Sequence, residues 1–523
     1  MIYQLLFTRR HFTTVLSSLL ISVFLLGVLN TFQHGHVRSS MWPGQKLGFD
    51  DNHGNEETVD TMIPLEPLQP PNDYQVVVDE PLPCPRRLQT AYLEELRQSR
   101  AAYCSAESPS QLTCFHSQKS DSTIDSFCVG EHGVLGTKGK FELSCEEIVP
   151  YTIEANETAQ TLDMLKSYWY ETGPRVVFDQ YVEAKKGELA LSSPPELKSQ
   201  EDDESAPSYP TNSNHYSILL KREGSVNLWH CLMEIMSLSM TLDVLQMTRQ
   251  RGSADTMLKP ADAPNTQVIV LDDKENGPFF DLWGLFAQKP TIRLAEVPAG
   301  TDMGTLIIPL AGASNPVWQD DWEPNNCVHS SLLETFSRRV LRYLHVWDAD
   351  KEQEKDKIVV TFIDRRSGRR LVDQEKLVAA LERRYADSPV RLEVHLVDFA
   401  AIPFAQQVQL VRDSDVLAGV HGAGLTHTLW LREPSAVVEI LPEGFMHKGF
   451  RNLAGALGHE YFSTHGNVPA SDVTGDSDGG RIRRRKGDWH TEDVALDEER
   501  FVELMDISIK SRFNSGSHNF DVN

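Results

Sequence analysis

Apolar strand-like and helix-like segments alternate regularly between Lys357 and Leu441, and this most constrains what the chain can fold into. Lys357–Ile363 reads as a buried strand, Gln374–Tyr385 as a helix, Arg391–Val397 as a strand and Phe404–Arg412 as a helix. Val416–Val420 is a further strand, Gly424–Leu431 a short helix stopped before Pro434, and Ala436–Leu441 another strand. Such alternation with short connections specifies a parallel sheet covered on both faces, the doubly wound α/β arrangement. Upstream, Ser225–Met247 has a strong helical period. It is followed by a β-like run at Gln267–Leu271, a helical segment at Phe279–Gln288, a β-like run at Gly304–Leu310 and a helix at Leu332–Leu344. That is a first α/β domain, and two such domains facing each other enclose a cleft.

The chemistry concentrates where the Val416–Val420 strand ends, in His421-Gly422-Ala423-Gly424-Leu425-Thr426-His427. In an open α/β sheet this is the ligand-binding edge. Glycines there admit close backbone approach, and the N–H groups at the start of the following helix can hold a diphosphate. Counting Gly419, the spacing is G-x-x-G-x-G and not the dinucleotide fingerprint G-x-G-x-x-G, which disfavours a nicotinamide or flavin enzyme. A tight turn that merely needs glycine is the plain alternative.

On the long helix, Asn227, His230, Glu234, Ser237 and Thr241 recur in steps of three and four and form a polar seam on an otherwise apolar element. Such a seam faces a cleft or a buried polar network. His230 and Glu234 are one turn apart, placed for the carboxylate to tune the imidazole or to accept a proton itself. Arg365, Arg366, Arg369 and Arg370 follow the Lys357–Ile363 strand at the edge that carries the glycine turn, where guanidinium forks suit phosphate oxygens or simply face solvent. Asp272 and Asp273 end a strand, as caps or as contacts for a divalent ion, Mn or Mg, bound through ligand phosphates. Glu439 is a charge inside an apolar strand and needs a partner, either ligand hydroxyls or an arginine. His421 and His427 have no Cys cluster or H-E-x-x-H beside them that would complete a zinc site.

At the amino terminus, Phe12–Phe32 is uncharged and long enough to cross a hydrocarbon core about 30 Å thick. Arg9 and Arg10 precede it, so the expectation is a type II signal anchor with the rest of the chain in the lumen; a cleaved signal peptide is the alternative. Residues 1–11 are then a cytoplasmic tail and 33–83 a proline-rich flexible stem. Residues 84–215 are a cysteine-containing region with a disordered loop at 192–214, residues 216–350 the first α/β domain, 351–510 the nucleotide-binding α/β domain and 511–523 a flexible tail. The basic run within 472–486 reads as a solvated insertion. Five of the seven cysteines, Cys84, Cys104, Cys114, Cys128 and Cys145, lie in one stretch, so two disulfides are expected there. The leftover pairs with Cys231 or Cys327 or stays free. Asn156 heads an N-glycosylation triplet, and a net charge of −25 argues against a nucleic-acid partner.

Gly419–Pro442 (GVHGAGLTHTLWLREPSAVVEILP) resembles the signature of a eukaryotic glycosyltransferase family. The family includes plant arabinosyl- and xylosyltransferases, the protein O-mannose β-1,4-N-acetylglucosaminyltransferase and the EGF-domain-specific O-linked N-acetylglucosamine transferase. Asn227–Glu234 (NLWHCLME), Asp272–Phe286 and Thr361–Arg370 match in the same order, so the resemblance covers about residues 216–465. His427 and the NLWHCLME form place the EGF-specific branch nearest.

The resemblance implies two facing Rossmann-like domains (GT-B type) and inverting transfer. The sugar implied is N-acetylglucosamine from UDP-N-acetylglucosamine, and the acceptor a Ser or Thr hydroxyl of a secretory-pathway protein. Glu234, or His230 held by it, is assigned as base and His421 as a catalytic group, with Asn227 on the acceptor side. Arg365, Arg369, Gly422, Ala423, Gly424, Leu425, Thr426, His427 and Glu439 are assigned to the nucleotide sugar. Animal members of that branch end in a KDEL-like signal whereas this chain ends HNFDVN, so Golgi residence is expected over soluble retention in the endoplasmic reticulum. Three alternatives stay open: another donor such as UDP-xylose, a non-catalytic luminal binding protein, and a metal-dependent hydrolase built on His230, Glu234 and the Asp272-Asp273 pair.

Overall fold

The computed structural model describes residues 68–74, 84–105, 107–120, 123–145, 165, 168–185, 215–319, 321–346, 357–467, 469, 491–513 and 519–521. The expected anchor at 12–32, the loop at 192–214, the basic run at 472–486 and Asn156 lie outside these residues, as does most of the expected stem. Fifteen strands are described: β1 (Arg100–Ala102), β2 (Gln111–Ser120), β3 (Thr123–Leu135), β4 (Phe141–Ser144), β5 (Val182–Lys185), β6 (Tyr216–Leu220), β7 (Thr266–Val270), β8 (Ile292–Arg293), β9 (Asp302–Ile308), β10 (Lys357–Ile363), β11 (Arg391–Val397), β12 (Val416–Val420), β13 (Ala436–Leu441), β14 (Glu460–His465) and β15 (Asn519–Asp521). The helices used below are α1 (Thr90–Gln98), α2 (Pro174–Tyr181), α3 (Leu228–Gln246), α4 (Ser331–Tyr343), α5 (Gln374–Tyr385), α6 (Phe404–Arg412), α7 (Gly449–Ala456) and α8 (Glu498–Ser511).

β10 to β15 form one six-stranded sheet in the order β11-β10-β12-β13-β14-β15, parallel throughout. β12 and β13 are buried along their whole length, as strands covered on both faces must be. α5 and α8 pack on one side, where Leu377, Leu381, Phe501 and Leu504 share a core with Val360 and Phe362. The chain passes from β10 to β11 on one side and then crosses to β12 on the other. That reversal puts a crevice beyond the carboxyl ends of β10 and β12.

The first sheet departs from the doubly wound expectation. It has nine strands, with β9-β6-β7-β8 parallel and β1-β2-β3 antiparallel, joined where β3 runs antiparallel to β9; β4 and β5 extend from β3. The cysteine-containing region thus continues the sheet of the first α/β domain. Its strands carry Ser, Thr, His and Cys in positions that clean hydrophobic patterning would fill with Val or Ile, and disulfides fasten them instead. Cys114 and Cys128 sit opposite each other on β2 and β3 and are bonded, and Cys104 is bonded to Cys145. The leftover Cys84 pairs with Cys327, which leaves Cys231 free and buried.

α3 is the core helix of this half. Asn227 caps it, its Oδ1 accepting from Trp229 N (3.0 Å) and His230 N (3.4 Å), and nearly every residue from Leu228 to Leu245 is buried. It is long and apolar enough to cross a membrane but is enclosed by protein. Asp73 and Tyr74, inside the stretch read as stem, dock against it: Tyr74 donates to Asp243 Oδ2 (2.6 Å), and Arg339 of α4 bridges Asp73 and Asp243.

Candidate active site

A cavity of about 460 Å³ lies at the crevice beyond β10 and β12. Arg365, Asp398, Gly424 and His427 line it from the second half, and Val226, Leu228 and Phe279 close it from the first. A larger hollow, about 690 Å³, is walled by the Gln69–Asp73 segment and Arg339 and contains none of the glycine-turn residues. The smaller space is therefore the candidate site.

At the turn after β12, a Cβ on Gly422 would collide with Arg365 Nη1 and lie 3.4 Å from Arg369 Nη2, so any side chain here would push the Arg365 guanidinium from its place over this backbone. Arg365 Nε donates to Gly368 O (3.1 Å), and burial pulls its pKa below the usual arginine value. The four arginines divide. Arg366 pairs with Asp364, and Arg370 with Asp493 through Nε to Oδ2 (2.9 Å), leaving Arg365 and Arg369 at the glycine turn.

Residues Ala423–Trp430 form a 3-10 stretch in place of the α-helix expected at Gly424–Leu431. His427 Nδ1 donates to Gly424 O (2.9 Å) and Thr428 Oγ1 to Leu425 O (2.7 Å), each to the carbonyl three residues back, which tightens the turn. Leu425 and Thr426 have fully buried side chains, so ligand access here is to backbone and to Ala423 and Gly424, which line the cavity. His427 packs on Phe399 (ring centroids 4.5 Å apart), and burial takes its pKa down to about 4. It is a neutral imidazole.

His421 Nδ1 lies 2.5 Å from Glu439 Oε1, and Tyr461 donates to Glu439 Oε2 at 2.5 Å. Glu439, 1% exposed, thus meets its need for partners inside the protein. Burial lowers the His421 pKa although Glu439 opposes the shift. With Nδ1 donating to the carboxylate, Nε2 is the acceptor end of the ring. The ring sits against Phe445 (4.6 Å), His447 (5.1 Å) and Phe450 (5.4 Å), and His447 meets Asp321 of the first half at 3.1 Å.

The polar seam of α3 splits in two. Thr241 Oγ1 donates to Ser237 O (2.9 Å) and accepts from Leu310 N (3.1 Å), tying helix to sheet. Toward the amino end, His230 and Glu234 are each joined to Glu223, on the loop between β6 and α3. Glu234 Oε1 accepts from Glu223 N (2.7 Å), and His230 Nδ1 stands 3.3 Å from Glu223 Oε2. Glu234 is buried, and burial together with the Glu223 charge raises its pKa well above the carboxylate range. The His230 side chain is 19% exposed and lies between the rings of Trp318 (4.5 Å) and Tyr170 (5.2 Å).

Asp272 is engaged by Arg222, accepting on Oδ2 from Arg222 N (2.9 Å) and on Oδ1 from Nη2 (2.8 Å); Asp273 adjoins it. Among the described residues no group of three or more His, Cys, Asp or Glu side chains is placed to hold a metal ion. Glu223, Tyr461 and Arg222 carried no spacing signal. The only sequence cue for Glu223 is its place at the carboxyl end of a β-like run, the edge where ligands gather.

Residues 228–438 match the family described as glycosyltransferase 61. Within the chain, the matched stretch runs from the first residue of α3 into β13. The chain is similar to the EGF domain-specific O-linked N-acetylglucosamine transferase of Drosophila melanogaster, at 25% identity over 237 residues, 43% of this chain and 41% of that protein. It is similar to the proteins of the same name from Canis lupus familiaris and Gallus gallus, each at 35% identity over 120 residues, 22% of this chain and 21% of the relative. The chain thus spans about two fifths of the fly relative and about a fifth of the other two.

Proposed function

We propose that the chain is an inverting glycosyltransferase of GT-B type that moves N-acetylglucosamine from UDP-N-acetylglucosamine to a Ser or Thr hydroxyl of a secretory-pathway protein. One observation carries this reading: the cavity beyond β10 and β12 has Arg365 and the glycine turn on one wall and the start of α3 on the other. Inverting displacement needs that separation, because a base must take the acceptor proton on the face of the sugar opposite the leaving diphosphate. Arg365, Arg369 and the Gly422–Gly424 backbone hold the diphosphate, and His427 with Phe399 borders the rest of the nucleotide. His421, neutral and oriented by Glu439, accepts from a donor-sugar hydroxyl or amide. His230, the accessible member of the α3 set, is the base; Glu234 is enclosed behind Glu223 and supports it from below. Residence in the Golgi or endoplasmic reticulum membrane by a type II anchor fits three disulfides.

Calorimetry of the purified chain with a panel of UDP- and GDP-sugars tests the reading. UDP-N-acetylglucosamine should bind more tightly than UDP-xylose or GDP-mannose. Binding of none of them would make the chain a non-catalytic relative.

A further inference from the structure

Glu223 is a buried carboxylate built into the protein with one oxygen reserved. Its Oε1 accepts from Ala313 N (3.1 Å) and Thr172 Oγ1 (3.4 Å). Its Oε2 is buried and, among the described residues, accepts no hydrogen bond; His230 Nδ1 stands 3.3 Å from it. An unpaired carboxylate oxygen in the interior is costly, so a partner it can engage is expected. Arg222, next in sequence, is engaged elsewhere: it forks onto Asp272 and onto the carbonyls of Lys274, Glu275 and Asn276. Glu234 accepts on Oε1 from the Glu223 backbone N–H, burial and the Glu223 charge favour its neutral form, and among the described residues its Oε2 has no hydrogen-bond partner. Burial likewise raises the Cys231 thiol to about 12, so it stays neutral. Space is fitted to this arrangement, since a Cβ on Gly312 would stand 2.7 Å from Glu234 Cγ and 3.3 Å from Glu223 Oε1.

On its other side His230 meets Tyr170, which is 56% exposed and held with Glu171 in left-handed backbone (φ 64° and 53°). Two successive non-glycine residues in that region store strain, which persists where surrounding structure fixes it and marks functional sites. Tyr170 and Trp318 both meet the imidazole in T-shaped contacts, at interplanar angles of 70° and 64°.

Building on the transferase reading, we propose that Glu223 is the positioning residue of the acceptor base: it takes Nδ1–H of His230 so that Nε2 faces the acceptor hydroxyl, between Tyr170 and Trp318. In the step so served, the acceptor oxygen bonds to the anomeric carbon and its proton passes to His230 Nε2. The bond from that carbon to the diphosphate oxygen breaks, and its electron pair leaves with the nucleoside diphosphate. Glu223 touches no substrate.

The test compares full-length wild type, Glu223→Gln, Glu223→Asp, His230→Ala and the Glu223→Gln/His230→Ala double variant, with UDP-N-acetylglucosamine as donor and a Ser/Thr peptide acceptor. Glu223→Gln should lower kcat about tenfold to a hundredfold, with donor affinity by calorimetry and KM within about twofold of wild type. Glu223→Asp should recover part of the rate with KM unchanged, and serves alone if the Gln variant melts early. In the His230→Ala background Glu223→Gln should cost nothing further. Wild-type kcat in Glu223→Gln, a loss that appears in KM instead of kcat, or losses that multiply in the double variant would overturn the proposal while leaving the transferase reading standing. A wild-type protein that neither binds nor transfers a nucleotide sugar would remove that reading and this inference together.

Discussion

At the residue scale, each candidate side chain is set by what it touches. Gly422 has no room for a side chain beneath Arg365, so Gly422→Ala displaces the guanidinium and should weaken UDP binding about tenfold by calorimetry, with the melting temperature little changed. His427 couples site and stability. Its pKa is depressed to about 4 by burial, so the folded state requires it neutral. Its contribution is fully present above the unfolded value of roughly 6.5 and is lost as pH falls from there through about 4, on the order of 3 kcal/mol in all. Wild type should therefore lose melting temperature between pH 7 and pH 5, and His427→Leu should flatten that slope; equal slopes would contradict it. Glu439 shows how far sequence reaches at this scale. A charge inside an apolar strand announces that it needs a partner, but Tyr461 lies one strand away and His421 at the end of another, and pairing between parallel strands leaves no local pattern.

At the element scale, the second sheet was legible because its strands are short apolar runs between helices with clear periods. β10, α5, β11, α6, β12 and β13 fall where the pattern puts them. α3 and its polar seam were also legible, but not that one face serves two ends: Thr241 ties helix to sheet while His230 faces the loop that carries Glu223. The antiparallel strands before residue 150 were hidden by polar composition and by disulfides that replace apolar burial. A second hidden device is the Arg339 bridge between Asp73 and Asp243, which fastens a segment read as stem to α3 and α4. Asp243 is 1% exposed, so Arg339→Ala leaves a buried carboxylate uncompensated and should cost about 3–5 kcal/mol in urea unfolding. Adding Asp243→Asn should return part of that loss. A surface-like cost below about 1 kcal/mol would show that the segment does not dock in solution.

At the scale of the molecule, two sheets present their carboxyl edges to one cavity, with cationic groups and the glycine turn supplied by one half and the α3 amino end by the other. The glycosyltransferase 61 match, residues 228–438, includes all the residues that line the cavity but Val226. Under the proposed reading, that division of labour is what sugar transfer with inversion demands. The decisive measurement is mass spectrometry of a Ser/Thr acceptor protein after incubation with UDP-N-acetylglucosamine and either wild-type chain or His230→Ala. The account predicts N-acetylglucosamine on a Ser or Thr hydroxyl with wild type, and at least a tenfold loss in His230→Ala while UDP binding is retained. Unmodified acceptor with wild type, or equal modification by both proteins, would contradict it.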